Sequence, residues 1–491
     1  MRAEEISDAI GNVDDRLLQE ADVARKIETS AKKAGQPWLR RMAAVAACVA
    51  IVITSVWWIS ERTPSGVAYA ETIALAEYPE MVLYPNYEDY RIPGSTRWDN
   101  DAYGEDLAAW ERNRDAQVSQ GVGYEEVLDD FFAKTAPMIL GDSQGENRVY
   151  SPANIYIALS MLTELTDGNS RGQLLQLLGV EDMDTLRQQA TAVWNSNYSD
   201  DGRTTSILAN SVWVDEGFEV YQEVMDTLAD RYYASSFQGD LQDPKMSQML
   251  QTWLNEQTGG LLEEESKQME FNALAVMALA STLYLEVTWQ QGFQEGATYE
   301  DVFYSPQGEV TCDYMVQDET NTLYWGEGFC AVAQGLTGSG DMWLILPEED
   351  VSVDTLLASQ EVLQMISCQC PQENQKELQV NLRLPKFDVS ASTELSDRLK
   401  ALGVEDVFDS GIADFSAMTE KDDIFVSEIS HAARVLVDED GCKAAAFTVI
   451  EPEEQCLWMG DEIDLVFDRP FLFVITGPTQ MPLFAGVVNT P

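Results

Sequence analysis

Helix signals occupy the first half of this chain and strand signals dominate the second half, with no internal repeat. Apolar residues at helical spacing occur in 124–140 and in 154–166, the latter directly after Ser151 and Pro152. Because helices and strands do not alternate regularly, a parallel sheet with crossover helices is not expected. The pattern predicts an α+β fold with a large mixed or antiparallel sheet. Runs typical of strands lie in 281–289, 377–385, 424–426, 434–438 and 465–475.

The charge of the chain is strongly negative and unevenly distributed, with a net value of -54. Residues 1–41 hold 8 acidic and 8 basic residues, so the remaining chain, with 76 acidic and 22 basic residues, carries all of the net charge. Such a surface repels nucleic acid, and no basic stripe interrupts it, so no nucleic-acid partner is expected. The acidic surface suits either high solubility or the steering of a basic partner.

The seven cysteines indicate neither a disulfide framework nor a metal centre. Their number is odd, and a chain of 491 residues does not need disulfides to hold its core. Cys368 and Cys370 could supply half of a metal site, but no histidine lies near them and no second close pair exists. We therefore expect no metal and no cofactor.

Residues 42–60 form an uncharged stretch that predicts one transmembrane helix. As a helix the 19 residues span about 28 Å, close to the thickness of a bilayer core. Trp38 precedes the stretch, and Trp57 and Trp58 lie at its far end, where interfacial aromatic residues are common. Four basic residues precede it, so the positive-inside rule puts the N-terminus in the cytoplasm. A buried core helix and a cleaved signal peptide are the alternatives.

These patterns predict four segments along the chain. Residues 1–41 are a cytoplasmic segment and 42–60 the membrane span. Residues 61–117, rich in Tyr, Pro, Asp, Glu and Gly, are an extracellular stalk or lead-in. Residues 118–491 are the folded domain, outside the cell membrane. A short cytoplasmic lead with a single anchor is typical of a bacterial surface protein, so we expect a bacterial source.

The C-terminal third carries motifs that resemble those of the serpin family. Earlier motifs agree with it in order, so the resemblance covers about 118–491. The matching segments are VYSPANIYIALSMLTELTDGNSRGQLLQLLGV (149–180), ANSVWVDEGFEV (209–220), STLYLEVTW (281–289), LPKFDVSASTELSDRLKALGVEDVFDSGIADFSAMT (384–419), IFVSEISHAARVLVDEDGCKAAAF (424–447), LVFDRPFLFVI (465–475) and PLFAGVVNTP (482–491).

The resemblance implies the serpin fold, with a large central mixed β-sheet, further sheets, about eight to nine helices and an exposed reactive loop. It implies a monomer that is not an enzyme. Its partner would be a serine or cysteine protease, which attacks the loop and is trapped in a covalent complex when the cut loop inserts into the main sheet. The alternative is a non-inhibitory serpin that binds a ligand or another partner.

The hinge of the reactive loop has the alternation that an inserting strand needs. The residues matching the family's hinge are Gly441, Cys442, Lys443, Ala444, Ala445 and Ala446. Every second residue from Cys442 is small or apolar, which suits the face that enters the core. The other set contains both charges, Lys443 and Glu451, and also the bulky Phe447, which suits the outer face. Any mildly amphipathic strand would show a similar pattern.

The position of the cleaved bond depends on the end of the loop from which it is counted. Counting from Glu439 puts it between Gln455 and Cys456, with acidic residues before the cut. Counting back from Pro470 instead leads to Met459, because the loop is about four residues longer than usual. Leu457 or Met459 would suit a chymotrypsin-, elastase- or subtilisin-like target, and Trp458 is a further alternative.

His431 is the only histidine of the chain, so a Ser-His-Asp or Cys-His enzyme would have to use it. The resemblance instead implies a structural role for His431 in the shutter under the main sheet, beside Ser151. In the family a serine is usual where Asn154 stands and an asparagine where Ser281 stands, which suggests an exchange of partners within one polar cluster. Trp289 matches the tryptophan at the breach, where loop insertion begins.

Overall fold

The computed structural model describes residues 70–491 except 125, 268, 272–275, 294, 339, 360, 363–364, 366–371, 422–423, 427–428 and 443–460. Several predicted features lie outside the described residues. They are the cytoplasmic segment, the membrane span 42–60, the cysteines at 368 and 370, and the loop from Lys443 through Met459.

Helices occupy mainly the first half of the described chain. The most completely buried of those described, α3, begins at Pro152, with Ser151 as its N-cap. It is buried on almost every side because it lies between the main sheet and its neighbouring helices. The helices are α1 Asn100–Val118, α2 Val127–Leu140, α3 Pro152–Leu165, α4 Gly168–Leu178, α5 Met183–Asn197, α6 Gln222–Tyr232, α7 Pro244–Gln257, α8 Glu263–Ser266, α9 Val353–Leu357 and α10 Ser396–Ala401.

Strands dominate the second half, as the residue pattern predicts. They are β1 Glu71–Ala74, β2 Arg148–Tyr150, β3 Ser199–Asp200, β4 Thr205–Asp215, β5 Ala234–Gly239, β6 Met277–Thr288, β7 Tyr299–Ser305, β8 Gly308–Gly326, β9 Phe329–Gly335, β10 Asp341–Pro347, β11 Gln375–Pro385, β12 Phe387–Glu394, β13 Ser430–Val437, β14 Gly441–Cys442, β15 Glu462–Val466, β16 Phe471–Thr476 and β17 Pro482–Val488.

These strands form two sheets. In the main sheet the order is β1-β5-β4-β6-β14-β13-β12, with β3 paired to β4. In the second sheet it is β15-β11-β8-β9-β10-β16-β17-β2, with β7 paired to β8. Strands β16 and β17 are buried along their whole length and pass beneath the main sheet, near β12. The C-terminal motifs therefore form the buried strands that pack beneath the main sheet.

Two predicted strands differ in the structure. The run 465–475 is divided into β15 and β16, because Pro470 lies between them and has no N–H group for a sheet hydrogen bond. Residues 424–426 are described but are not in a strand. Ile424 is nevertheless buried, so its apolar signal reflects packing against the core.

Residues 70–117, predicted as a stalk or lead-in, are part of the folded body. The compact unit begins at Ala68 and continues to Pro491. Strand β1 pairs antiparallel with β5 and so extends the main sheet at its edge. Tyr78 packs on Trp194 of α5 at a ring-centroid distance of 5.4 Å. The Tyr-rich composition that resembled a linker therefore serves burial, and residues 70–117 belong to the same compact unit as the predicted domain at 118–491.

None of the helices in the described part of the chain is long and apolar enough to cross a membrane. The predicted span, 42–60, is not among those residues.

Candidate functional site

A tight turn joins β13 to β14 and starts the hinge. The Asp438 carboxylate accepts hydrogen bonds from the backbone N–H groups of Asp440 at 3.0 Å and Gly441 at 3.3 Å. The N–H of Asp438 donates to the carbonyl of Gly441 at 3.1 Å. This side chain therefore fixes the reversal that sends the chain from β13 back into the sheet. Burial raises the pKa of Asp438, and the two backbone donors partly offset that rise.

Gly441 occupies a position with no room for a side chain. It pairs with Thr288 of β6, and a Cβ atom at this position would lie 2.2 Å from the carbonyl oxygen of Val287. Its φ of +155° adds to the preference for glycine. The close approach of two backbones explains why a glycine begins the hinge.

Cys442 enters the main sheet between β6 and β13. It lies opposite Val287 on one side and Val437 on the other, and all three side chains are buried. The structure thus gives Cys442 the inward orientation that the alternation predicts. Burial raises the pKa of its thiol, so the group is a neutral, small apolar filler.

A small cavity lies beyond Cys442, between β6 and β13. In the described part of the chain no ladder joins these two strands directly, because β14 separates their ends. The lining of the cavity consists of Leu261, Leu283, Leu285, Arg434, Val435, Leu436, Cys442, Ile475 and Phe484.

Trp289 stands at the upper end of the main sheet, by which we mean the end where β6 stops and β14 enters. The side chain is only 2% exposed. Its indole N–H donates to the carbonyl of Asp438 at 2.9 Å, and its backbone N–H donates to the carbonyl of Asp440 at 3.2 Å. Trp289 therefore holds the hinge turn against β6, at the position predicted for the breach.

A partly buried ion pair also holds this turn. The Glu439 carboxylate accepts hydrogen bonds from the Lys386 ammonium at 2.7 Å and from the Thr298 hydroxyl at 2.7 Å. Burial acts to raise the pKa of Glu439, but these two donors outweigh it, and the pKa is lowered. In the sequence, Glu439 served only as the residue from which the position of the cleaved bond was counted. Its contacts could not be predicted, because Lys386 and Thr298 are distant in sequence.

His431 is on β13 of the main sheet, and its buried side chain has the geometry of a structural hydrogen-bond acceptor. It is 5% exposed, and its Nε2 accepts a hydrogen bond from the backbone N–H of Ser151 at 3.0 Å. Burial lowers the pKa of His431 to about 4, so the ring is neutral near pH 7. The Ser151 hydroxyl is used elsewhere, accepting from the N–H of Asn154 at 3.2 Å as the cap of α3. Ser151 and His431 are therefore not arranged as a nucleophile and its base.

Ser281 pairs with a residue that sequence reasoning did not select. Its hydroxyl donates to the Asn210 side-chain oxygen at 2.6 Å, and the Asn210 amide donates to the carbonyl of Tyr232 at 2.8 Å. Asn210 lies on β4 directly opposite Ser281. The suggested exchange of partners between Asn154 and Ser281 thus differs from the structure, which supplies the asparagine from the neighbouring strand. The signal was present in the motif ANSVWV, but the pairing depends on the register of β4 and β6.

The remaining predicted hinge residues, Lys443 through Ala446, and the candidate bonds around Gln455 and Cys456 lie outside the described residues. So do Leu457, Trp458 and Met459. Within the part of the chain that the structure describes, no cluster of three or more His, Cys, Asp or Glu side chains could hold a metal ion.

Comparison with known proteins agrees with this geometry. A family model described as "Serpin (serine protease inhibitor)" matches residues 126–491. The chain is 28% identical over 370 residues to Serpin-ZX of Arabidopsis thaliana, covering 71% of this chain and 93% of that protein. It is 27% identical over 374 residues to human Serpin I2, covering 71% of this chain and 87% of that protein.

Solved structures show the same fold. The thermophilic serpin tengpin in its native state has a TM-score of 0.67 and 23% identity, covering 75% of this chain and 94% of that chain. Arabidopsis AtSerpin1 in its native stressed conformation has a TM-score of 0.64 and 26% identity, covering 76% and 98%. The family match includes every strand from β2 to β17 of the two sheets, together with Gly441, Cys442 and His431. The chain therefore belongs to the serpin family of protease inhibitors.

Proposed function

We propose that this serpin is a suicide inhibitor of serine proteases, and of some cysteine proteases, that is displayed on the outside of a cell membrane. The observation that carries the inhibitory part is the entry of Gly441 and Cys442 into the main sheet between β6 and β13. This two-residue strand sets the register for every residue that would follow it.

Continuing that register places small residues on the buried face. Since Cys442 pairs with Val287 and Val437, Ala444 would lie between Leu285 and Val435. These two neighbours are 6% and 5% exposed, so they face the core. By the same count Ala446 would lie between Leu283 and Ala433, which are also buried. Only small side chains suit this tightly packed face, which supports insertion.

The same register brings the loop to the shutter. Thr448 would lie opposite Ser281 on β6 and His431 on β13. A threonine hydroxyl can donate and accept, so it can join a polar cluster that is buried between two strands. Insertion by eight residues beyond Gly441 would add a full strand of backbone hydrogen bonds to the sheet, which is the driving force for trapping.

The chemistry requires nothing from the inhibitor except its peptide bond. The protease's serine oxygen or cysteine sulfur attacks the scissile carbonyl carbon and forms an ester or thioester. The C–N bond breaks, and the leaving amine takes a proton and becomes the new N-terminus. We propose Gln455–Cys456 as this bond, with Leu457, Trp458 and Met459 as alternatives. Insertion then carries the acyl group away before water can hydrolyse it.

The membrane location rests on residues 42–60 and on the basic residues that precede them. These features support a single-pass protein with a cytoplasmic N-terminus and the serpin domain outside, and a bacterial cell surface suits this arrangement. Protease treatment of intact cells tests the topology. Residues after 61 should be digested and 1–41 protected, and the reverse pattern would contradict the orientation.

Inhibition is tested by incubating the detergent-solubilised full chain with a panel of serine and cysteine proteases. An SDS-stable complex supports trapping, and mass spectrometry of the released C-terminal fragment identifies the cleaved bond. Cleavage without a complex by every protease that cuts the loop would contradict inhibition and favour the non-inhibitory alternative.

Two adjacent alanines provide a matched pair of variants. Ala444→Arg puts a cation on the predicted buried face, so we expect the complex to disappear and the loop to be cleaved as a substrate. Ala445→Arg puts the same charge on the outer face, so trapping should continue. Equal behaviour of the two variants would show that the register proposed here is wrong.

A further inference from the structure

Residues 70–118, called the clamp below, lie before the part of the chain that matches the family model. They bind the folded body at separate places. At the first, β1 pairs with β5 and the N–H of Ala76 donates to the hydroxyl of Ser235 at 3.2 Å. Tyr78 then packs against Trp194 and against Tyr233, at centroid distances of 5.4 and 6.2 Å.

The second contact is centred on Asp201, which is completely buried between β3 and β4. The N–H of Tyr84 donates to its carbonyl at 2.7 Å, and the indole N–H of Trp110 donates to its carboxylate at 2.9 Å. The guanidinium of Arg203 lies 4.5 Å from the centroid of the Tyr84 ring, a cation–π distance. A buried carboxylate of the body therefore has a partner in the clamp.

The third contact is made by Arg114, which is 8% exposed on α1. Its guanidinium donates to the carbonyl of Tyr198 at 3.5 Å and to the carbonyl of Gly338. Gln117 adds a hydrogen bond to the same Tyr198 carbonyl at 3.1 Å. Burial lowers the pKa of Arg114, and the charge of Asp201 partly offsets this. A buried charge is stable only if it is hydrogen-bonded, so these carbonyls hold Arg114 in place.

Gly338 lies in the turn between β9 and β10, which rests on the upper end of the main sheet. The N–H of Thr337 donates to the carbonyl of Thr288 at 2.8 Å, and its hydroxyl donates to the carbonyl of Trp289 at 3.3 Å. The hydroxyl of Thr204 donates to the carbonyl of Thr337 at 3.0 Å. The turn is therefore bonded to β6 at its last residue and to the chain just before β4.

The last residue of β6 is also where the loop enters, because Thr288 pairs with Gly441. Arg114 is thus connected to the hinge through two short steps, the turn at Thr337 and Gly338 and the end of β6. At the upper end β14 already lies between β6 and β13, so further entry must move the rest of these two strands apart by about one strand spacing, roughly 4.8 Å. A contact that holds the end of β6 opposes that separation.

We propose that the clamp braces the upper end of the main sheet and slows entry of the reactive loop. The consequence for the rate of insertion rests on the proposed function, whereas the bracing itself does not. The clamp would therefore keep the uninserted form in place until a protease cuts the loop.

The test compares Arg114→Ala with Arg112→Ala in the full chain, since Arg112 is exposed on the same helix and its loss changes the net charge equally. Amide hydrogen exchange is followed in the turn at 336–338 and in the hinge at 438–442. We expect exchange at both places to become about tenfold faster in Arg114→Ala, roughly 1.4 kcal/mol. Arg112→Ala should behave as the unchanged protein.

Faster exchange in the turn alone would overturn the coupling to the hinge, and unchanged exchange in both would overturn the clamp altogether.

If Arg114→Ala does not fold, Trp110→Phe removes one hydrogen bond to Asp201 and keeps an aromatic ring, and we expect the same two regions to exchange faster. Loss of inhibitory activity on mild heating should also be faster in these variants. If no protease is ever trapped but exchange changes as expected, the proposed function fails and the clamp remains.

Discussion

Because His431 is the only histidine of the chain, its protonation can be followed without interference from any other imidazole. Protonation would remove the Nε2 acceptor of the Ser151 N–H and leave a charge under the main sheet. Burial lowers the pKa of His431 from 6.5 to about 4. Between these values the folded protein binds fewer protons than the unfolded chain, so stability is full above about pH 6.5 and falls as the pH decreases towards 4.

The size of this effect follows from the shift in pKa. Acidification from pH 7 to pH 4 should cost roughly 3 kcal/mol through His431, of which about 2 kcal/mol is lost by pH 5. The imidazole proton signal in an NMR titration should have its midpoint near pH 4. The unfolding free energy from urea titrations should fall less between pH 7 and pH 5 in His431→Gln than in the unchanged protein, because the variant has no imidazole to protonate. The loss that remains in both proteins comes from their carboxylates. A midpoint near pH 6.5, or an equal loss in both proteins, would refute this reasoning.

Two further changes test the hinge. Gly441→Ala would place a Cβ atom 2.2 Å from the Val287 carbonyl oxygen, so we expect β14 to leave the sheet. Amide exchange at Cys442 should then increase strongly, and protection like that of the unchanged protein would contradict the close approach. Glu439→Gln removes the ion pair with Lys386. The Glu439 side chain is 13% exposed and that of Lys386 is 34% exposed, so the apparent unfolding free energy at pH 7 should fall by about 1 kcal/mol. Because the pKa of Glu439 is lowered, the pair stabilises above its usual pKa of about 4.5, and the difference between the two proteins should disappear as the pH falls below that value.

Much of the sheet, and the burial of Cys442, could be predicted because their signals are local. The strand at 281–289 is visible from its β-branched and aromatic residues, and the alternation from Cys442 onwards follows from the two-residue period of any strand. Trp289 is buried just after the end of β6, and its role at the breach stays a prediction.

Features that depend on partners far away in sequence could not be predicted. Strand β1 has only four residues, and pairing with β5 alone distinguishes it from a linker. Asn210 became the partner of Ser281 through the register of two strands, which no single segment reveals. The burial of Arg114 depends on the turn at Gly338, which is far away in sequence.

The direction of β14 has a consequence for the sheet as a whole. It runs antiparallel to both β6 and β13, so these two strands run in the same direction as each other. If they closed against one another without a strand between them, they would form a parallel pair with slanted and slightly weaker hydrogen bonds. A strand that enters with the direction of β14 gives both of them antiparallel partners. The polarity of the main chain therefore makes the sheet selective for one direction of entry, before any side chain is considered.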